Sequence, residues 1–164
     1  MEALEMWVRS TELHRFVVQT QWAWPVLESL HFMGLTMLIG MIGAFDLRLI
    51  GLARSIPPGA LHRLIPWGVG GYAVNVLTGI CFFFGTPEQY MYNSAFRLKL
   101  LFMLLAGINI TFFYLVVFHK VKAMRAGDSA PMAARVVGGA SLAIWIGVMI
   151  CGRLLTFFRP PFVH

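Results

Sequence analysis

Four apolar stretches take up most of this chain: Trp22 to Leu52, Leu61 to Gly85, Ala95 to Phe118 and Ala133 to Phe158. A helix needs about 20 consecutive apolar residues to cross the hydrocarbon of a bilayer. Each stretch reaches that length and exceeds what a buried core helix requires. The expectation is an all-α integral membrane protein with spans at about 22–52, 61–85, 95–118 and 133–158. Short connections between consecutive spans favour antiparallel neighbours, hence an up-down-up-down four-helix bundle. The composition agrees, with 59% hydrophobic and 12% charged residues against about 25% charged in soluble proteins. Trp22, Trp24 and Pro25 open the first stretch and no small-residue cleavage site follows, so it reads as a retained span and not as a signal peptide. Residues 1–21 form a separate segment before the membrane domain of residues 22–164, with Leu4, Trp7, Val8 and Thr11 at the spacing of a short interfacial helix.

The net charge of +6 does not indicate nucleic acid, because the basic residues are scattered over helix ends without a run that could follow a phosphate backbone. Their distribution bears on orientation instead. The loops after spans one and three carry Arg48, Arg54, Arg63, Lys120, Lys122, Arg125 and Arg135, whereas the other side has Arg9, Arg15, Arg97, Lys99, Arg153 and Arg159. Seven against six places those loops on the cytoplasmic side and both termini outside by the positive-inside rule. Tyr90 and Tyr92, with Trp22 and Trp24, are expected in the headgroup layer of the outer side. SIPPG (Ser55 to Gly59) and GDSAP (Gly127 to Pro131) read as turns, the second with Ser129 as a helix cap. Close helix approach is expected at Gly40, Gly43, Gly68, Gly71, Gly79, Gly107, Gly138, Gly139 and Gly147. Cys81 and Cys151 lack metal-type spacing and read as small buried residues, with a disulfide left open.

Within this apolar background, Glu28 and His31 sit one turn apart, about 10 to 15 Å inside the first span by rise per residue. A charge there costs about 2.5 to 3.5 kcal/mol on insertion scales, so such residues face a bundle interior, a cofactor or water. At similar depth come Lys99 and Met103 of span three and Met149 and Arg153 of span four. Three readings fit this set. Glu28 could pair with Lys99 or Arg153 in an ion network that fixes helix register. Alternatively, His31 could ligate the iron of haem b, with Glu28 holding its other ring nitrogen and Lys99 and Arg153 facing the propionates. No second histidine lies at that depth, so Met103 or Met149 would be the sixth ligand, or the iron would be five-coordinate. In the third reading Glu28 and His31 line a path for protons, a small solute or copper, the methionines Met33, Met37 and Met41 offering soft ligands.

At the inner boundary His62 and His119 could ligate a second haem, although histidines at helix ends more commonly face solvent or headgroups; Asp46 and Arg48 read as a local pair. No phosphate loop, nucleophile elbow or zinc spacing appears. Any chemistry would therefore lie within the membrane or with a partner.

The pattern W-x-W-P-x-x-E-x-x-H-x-x-G (Trp22 to Gly34), DLRLIG (Asp46 to Gly51), N-x-A-F-x-x-K (Asn93 to Lys99) and S-L-x-x-W-x-x-x-x-x-x-G-R (Ser141 to Arg153) resembles a family of uncharacterised four-helix bacterial membrane proteins. The resemblance implies the four-span fold and an inner-membrane location, with no established activity, and maps onto Glu28, His31, Asp46, Arg48, Phe96, Lys99, Trp145 and Arg153. More remotely, the early histidine and the F-x-x-K-L run (Phe96 to Leu100) are similar to the copper-resistance D membrane domain and to the HemJ-type protoporphyrinogen oxidase, a haem-binding membrane protein. The leading expectation is a b-type haem-binding redox protein or redox-complex subunit with His31 as ligand. A non-enzymatic scaffold or assembly subunit, in a hetero-complex or homo-oligomer, is the alternative, and a copper or proton pathway the third.

Overall fold

A computed structural model describes residues 2–158, so Arg159 and His164 lie outside the described residues. The chain forms α1 (Glu2–Arg9), α2 (Glu12–Gln19), α3 (Ala23–Ile50), α4 (Pro58–His62), α5 (Ile65–Gly85), α6 (Pro87–Met91) and α7 (Ser94–Phe112). A π-helical turn (Phe113–Val117) then leads into α8 (Phe118–Lys122), and α9 (Met132–Leu154) completes the described helices. Four helical segments are long and apolar enough to cross a membrane: Ala23–Ile50, Pro58–Gly85, Ser94–Lys122 and Met132–Leu154. They alternate in direction, as expected of an antiparallel bundle, though the fourth ends at Leu154 and not at Phe158.

Local sequence explains where the spans start and stop. Gly51 ends α3 in the left-handed region at φ 108°, its N–H reaching Arg48 O at 3.2 Å while Leu52 N–H reaches Leu47 O at 3.0 Å, a conformation glycine adopts without a Cβ penalty. Asn93 starts α7 by accepting Ala95 N–H at 2.9 Å on Oδ1 and donates from Nδ2 to Leu155 O at 3.2 Å and Phe158 O at 2.6 Å. One buried amide thus fixes the beginning of α7 to the end of α9. Pro131 precedes α9, and Ser129 is not its cap.

α3 is the central span. It packs extensively on α5 and on α9, α9 packs on α7, and α5 and α7 make almost no backbone approach to each other. The four spans therefore form an arc whose ends, α5 and α7, stand apart, closed at the loop end where α4 meets α8. The tightest crossing is between Gly34 and Gly71, where a Cβ on Gly71 would lie 2.5 Å from Gly34 O. Gly68 against Ile42, Gly138 against Leu49 and Gly147 against the Phe102 ring are also closely opposed, as the sequence suggests; Gly40, Gly79 and Gly107 instead border open space. The continuous apolar core lies towards the end that bears the loops after α3 and α8, around Phe45, Leu49, Ile65, Phe113, Val117, Val121, Ala134 and Val137.

The N-terminal segment differs from the single interfacial helix of the sequence reading. Ser10 and Thr11 break it into α1 and α2, with Thr11 Oγ1 accepting His14 N–H at 3.3 Å. Val8 and Val17 are buried, and His14 Nδ1 hydrogen-bonds Phe84 O at 2.7 Å. Arg9 pairs with Glu88 at 3.1 Å, so the segment is tied to the terminal end of α5 and to α6.

Candidate functional site

Between the spans at the terminal end lies a cavity of about 590 Å³, within the range of about 300 to 1,000 Å³ typical of small-molecule and cofactor sites. Glu28, His31, Lys99, Met103, Met149 and Arg153 all line it. Depth counted along three separate stretches thus brought together side chains that the fold does place around one space. The remaining wall is largely aromatic, with Trp24, Phe82, Phe83, Tyr90, Phe96 and Trp145. The cavity exists because α5 and α7 stand apart there, bridged by side chains; Phe83 stacks on Phe96 at 6.4 Å.

The polar groups are arranged differently from the expected ion network. Glu28 pairs with neither Lys99 nor Arg153; the ion pairs among the described residues are Arg9 with Glu5 and Glu88, and Arg15 with Glu12, all outside the spans. Glu28 is exposed at the cavity mouth and Arg153 lies over the Phe157 ring at 5.2 Å. The Lys99 ammonium lies beside Gly152, without a hydrogen bond or ion pair among the described residues. Physically, a wide aqueous or ligand-filled space removes the need for direct pairing, because solvation can come from what occupies it.

Nor does Glu28 hold the histidine. His31 Nδ1 hydrogen-bonds Thr78 Oγ1 of α5 at 2.7 Å. The Thr78 hydroxyl proton is committed to Val74 O, also at 2.7 Å, so its oxygen accepts from Nδ1–H. In the neutral ring the lone pair is then on Nε2, the arrangement found when an imidazole ligates a metal and its second nitrogen is held by an outer partner. Phe82 packs on the ring at 5.5 Å between centroids. Thr78 escaped the sequence reading, although a hydroxyl in an apolar run at the depth of His31 was a usable signal. At the mouth, Tyr90 lines the cavity; burial first, then the neighbouring Glu28 carboxylate, pushes its phenol up to about 12.

Other expected sites do not assemble. Met33 is exposed on the outer surface, while Met37 and Met41 pack at Gly71 and Gly68, so the methionine stripe stands against α5 and lipid and does not line the His31 cavity. His62 hydrogen-bonds the Tyr114 hydroxyl at 3.2 Å inside an aromatic group with Phe45 and Phe118, whereas His119 is exposed. Among the described residues no three His, Cys, Asp or Glu side chains gather to hold a bare metal ion, and Cys81 and Cys151 are free thiols. Asp46 and Arg48 are both buried yet unpaired with each other. Arg48 Nε donates to Ile56 O at 2.7 Å and Nη2 to Asp128 O at 3.1 Å and Arg125 O at 3.5 Å, joining the loops after α3 and α8. Two residues along a helix point to nearly opposite faces, which separates the two side chains.

Fold and cavity together define a multi-pass helical membrane protein with a ligand-sized space between its spans. The chain belongs to the family described as "Family of unknown function (DUF6644)", which it matches over residues 22–158. Comparison with curated proteins and with solved structures found no match, and the comparisons do not connect the chain to the copper-resistance D domain or to HemJ-type oxidases.

Proposed function

We propose that the protein binds haem b in the terminal-end cavity, with His31 Nε2 as the axial ligand, and serves as a redox protein or redox-complex subunit of a bacterial cytoplasmic membrane with its termini at the periplasmic face. The observation that carries this reading is the hydrogen bond that His31 Nδ1–H donates to Thr78 Oγ1, which fixes the ring and leaves the outer nitrogen unengaged in a cavity walled by aromatic side chains. Lys99 and Arg153, without ion-pair partners among the described residues, suit two propionates, and Met103 of α7 or Met149 of α9 would offer a further ligand. When bound, haem supplies one-electron chemistry. The chain's own contribution is to orient the imidazole, neutralise the carboxylates and exclude water with its aromatic walls.

The test is the visible spectrum of the protein purified from cells able to make haem. A Soret band is expected, absent in His31→Ala. Thr78→Val should retain the band but lower haem affinity about 10- to 100-fold, the usual cost of removing an outer partner of a metal-bound histidine. A colourless folded protein that stays colourless when haemin is added would overturn the reading, as would a band indifferent to His31→Ala.

A further inference from the structure

A second, smaller pocket of about 160 Å³ lies deeper in the bundle, among the loop-end halves of α3, α5, α7 and α9. It shares Leu38, Tyr72, Met103 and Trp145 with the larger cavity, so the two spaces adjoin. At about 30 Å³ per water, its volume accommodates a few water molecules. One carboxylate, Asp46, borders it; no Lys, Arg or His lines it among the described residues. Asp46 is 4% exposed, and its Oδ2 has no hydrogen-bond partner among the described residues. Arg48, the nearest cation in sequence, is turned towards the loop carbonyls and forms no ion pair with it.

An acid so placed in a membrane span needs a compensating charge or a proton. The other polar groups on the wall supply oxygen. Asn109 commits Nδ2 to Val137 O at 3.2 Å, leaving Oδ1 as an acceptor towards its surroundings. Ser141 of α9, whose hydroxyl hydrogen-bonds the Asp46 carboxylate, adds a further oxygen, and Tyr72 and Tyr114 also line the wall, the Tyr114 hydroxyl being engaged by His62 at 3.2 Å. Tyr114 belongs to the π-helical turn, a local widening that interrupts the regular carbonyl ladder and recurs at functional sites. Oxygen donors select hard cations, and a single carboxylate matches a single positive charge, whereas calcium sites draw on several carboxylates.

We propose that this pocket binds a monovalent alkali cation, held by the Asp46 carboxylate with Asn109 Oδ1 and Ser141 Oγ and with water completing its shell. The site is separate from the haem reading and stands or falls without it.

The experiment is thermal unfolding of the full chain in detergent in NaCl, KCl and choline chloride at equal ionic strength. Sodium should raise Tm saturably over choline, by about 3 to 10 °C once its concentration exceeds Kd ten- to a hundredfold. Asp46→Asn should erase the difference, and Ser141→Ala should move the half-saturating concentration upward. If Asp46→Asn does not fold, the selectivity of the wild type and the shift in Ser141→Ala decide the matter. Superimposable curves in all three salts would overturn the proposal. So would a response to pH alone, which would mean a proton is held there, or an ion-selective shift that survives in Asp46→Asn.

Discussion

At the loop end of the bundle, Arg48 is fully buried and hydrogen-bonded to the carbonyls of Ile56, Arg125 and Asp128; at the terminal end, Lys99 has no hydrogen bond or ion pair among the described residues and stands in a cavity of about 590 Å³. Both are cations placed among apolar helices. The first is held by the chain's own backbone through Nε and Nη2, which join the two loops, and only its Nη1 has no hydrogen-bond partner among the described residues. The second is left for something else to satisfy. Helix contact follows the same division: Gly34 and Gly71 bring α3 and α5 into close contact, whereas Gly79, two turns further along α5, has nothing within 4 Å of its would-be Cβ and lines the cavity. A buried cation clasped by loop carbonyls is structural, and one without partners beside a wide cavity is where a ligand belongs.

Substitutions can test this contrast. The largest effect is expected from Arg48→Ala, which strips three loop carbonyls of their donor; a loss of about 3 kcal/mol or more in stability is expected, read as a fall in unfolding midpoint. An unchanged midpoint would show that the loop-end clasp does not hold the fold. Gly71→Ala comes next, since the new Cβ would meet backbone only 2.5 Å away and the helices would have to part, at a cost of about 1 to 3 kcal/mol. Gly79→Ala, on the same helix, should be neutral or slightly stabilising. Equal effects at the two glycines would erase the distinction between packed and hollow regions.

The smallest effect is a pH dependence. Tyr90 is raised from 10.0 to about 12 in the folded protein, so the folded state keeps its proton where the unfolded chain loses it. Its contribution is complete below pH 10 and is lost as the pH climbs towards 12. Tyr90→Phe should therefore flatten the decline of Tm across that interval, and an identical slope in the variant would remove Tyr90 from the mouth of the cavity.

Much of this organisation was legible in the chain. Apolar length alone gives the four spans, because the bilayer imposes one scale on all of them. Rise per residue was enough to put Glu28, His31, Lys99, Met103, Met149 and Arg153 at one level. What depth cannot give is rotation about each helix axis or the distance between helices. The expected pairs of Glu28 with Lys99 and of Asp46 with Arg48 failed for that reason: the first needed α3, α7 and α9 closer than the cavity allows, and the second needed two neighbours to share a face. Thr78 was hidden because a threonine in an apolar helix usually bonds its own preceding turn, as this one also does with Val74 O. Asn93 could be read as a cap, but its grip on the end of α9 depends on residues far along the chain.

Trp24 and Trp145 on the cavity wall provide the most direct check of its role, because a haem seated there would quench their fluorescence. Haemin titration of the detergent-solubilised protein should give saturable quenching in the wild type and in Gly40→Leu, whose substitution enters open space away from the cavity. In Gly79→Phe, which fills the cavity while leaving His31 and Thr78 in place, the saturable phase should vanish. Identical titrations in the wild type and Gly79→Phe would contradict the assignment of this space as a binding site.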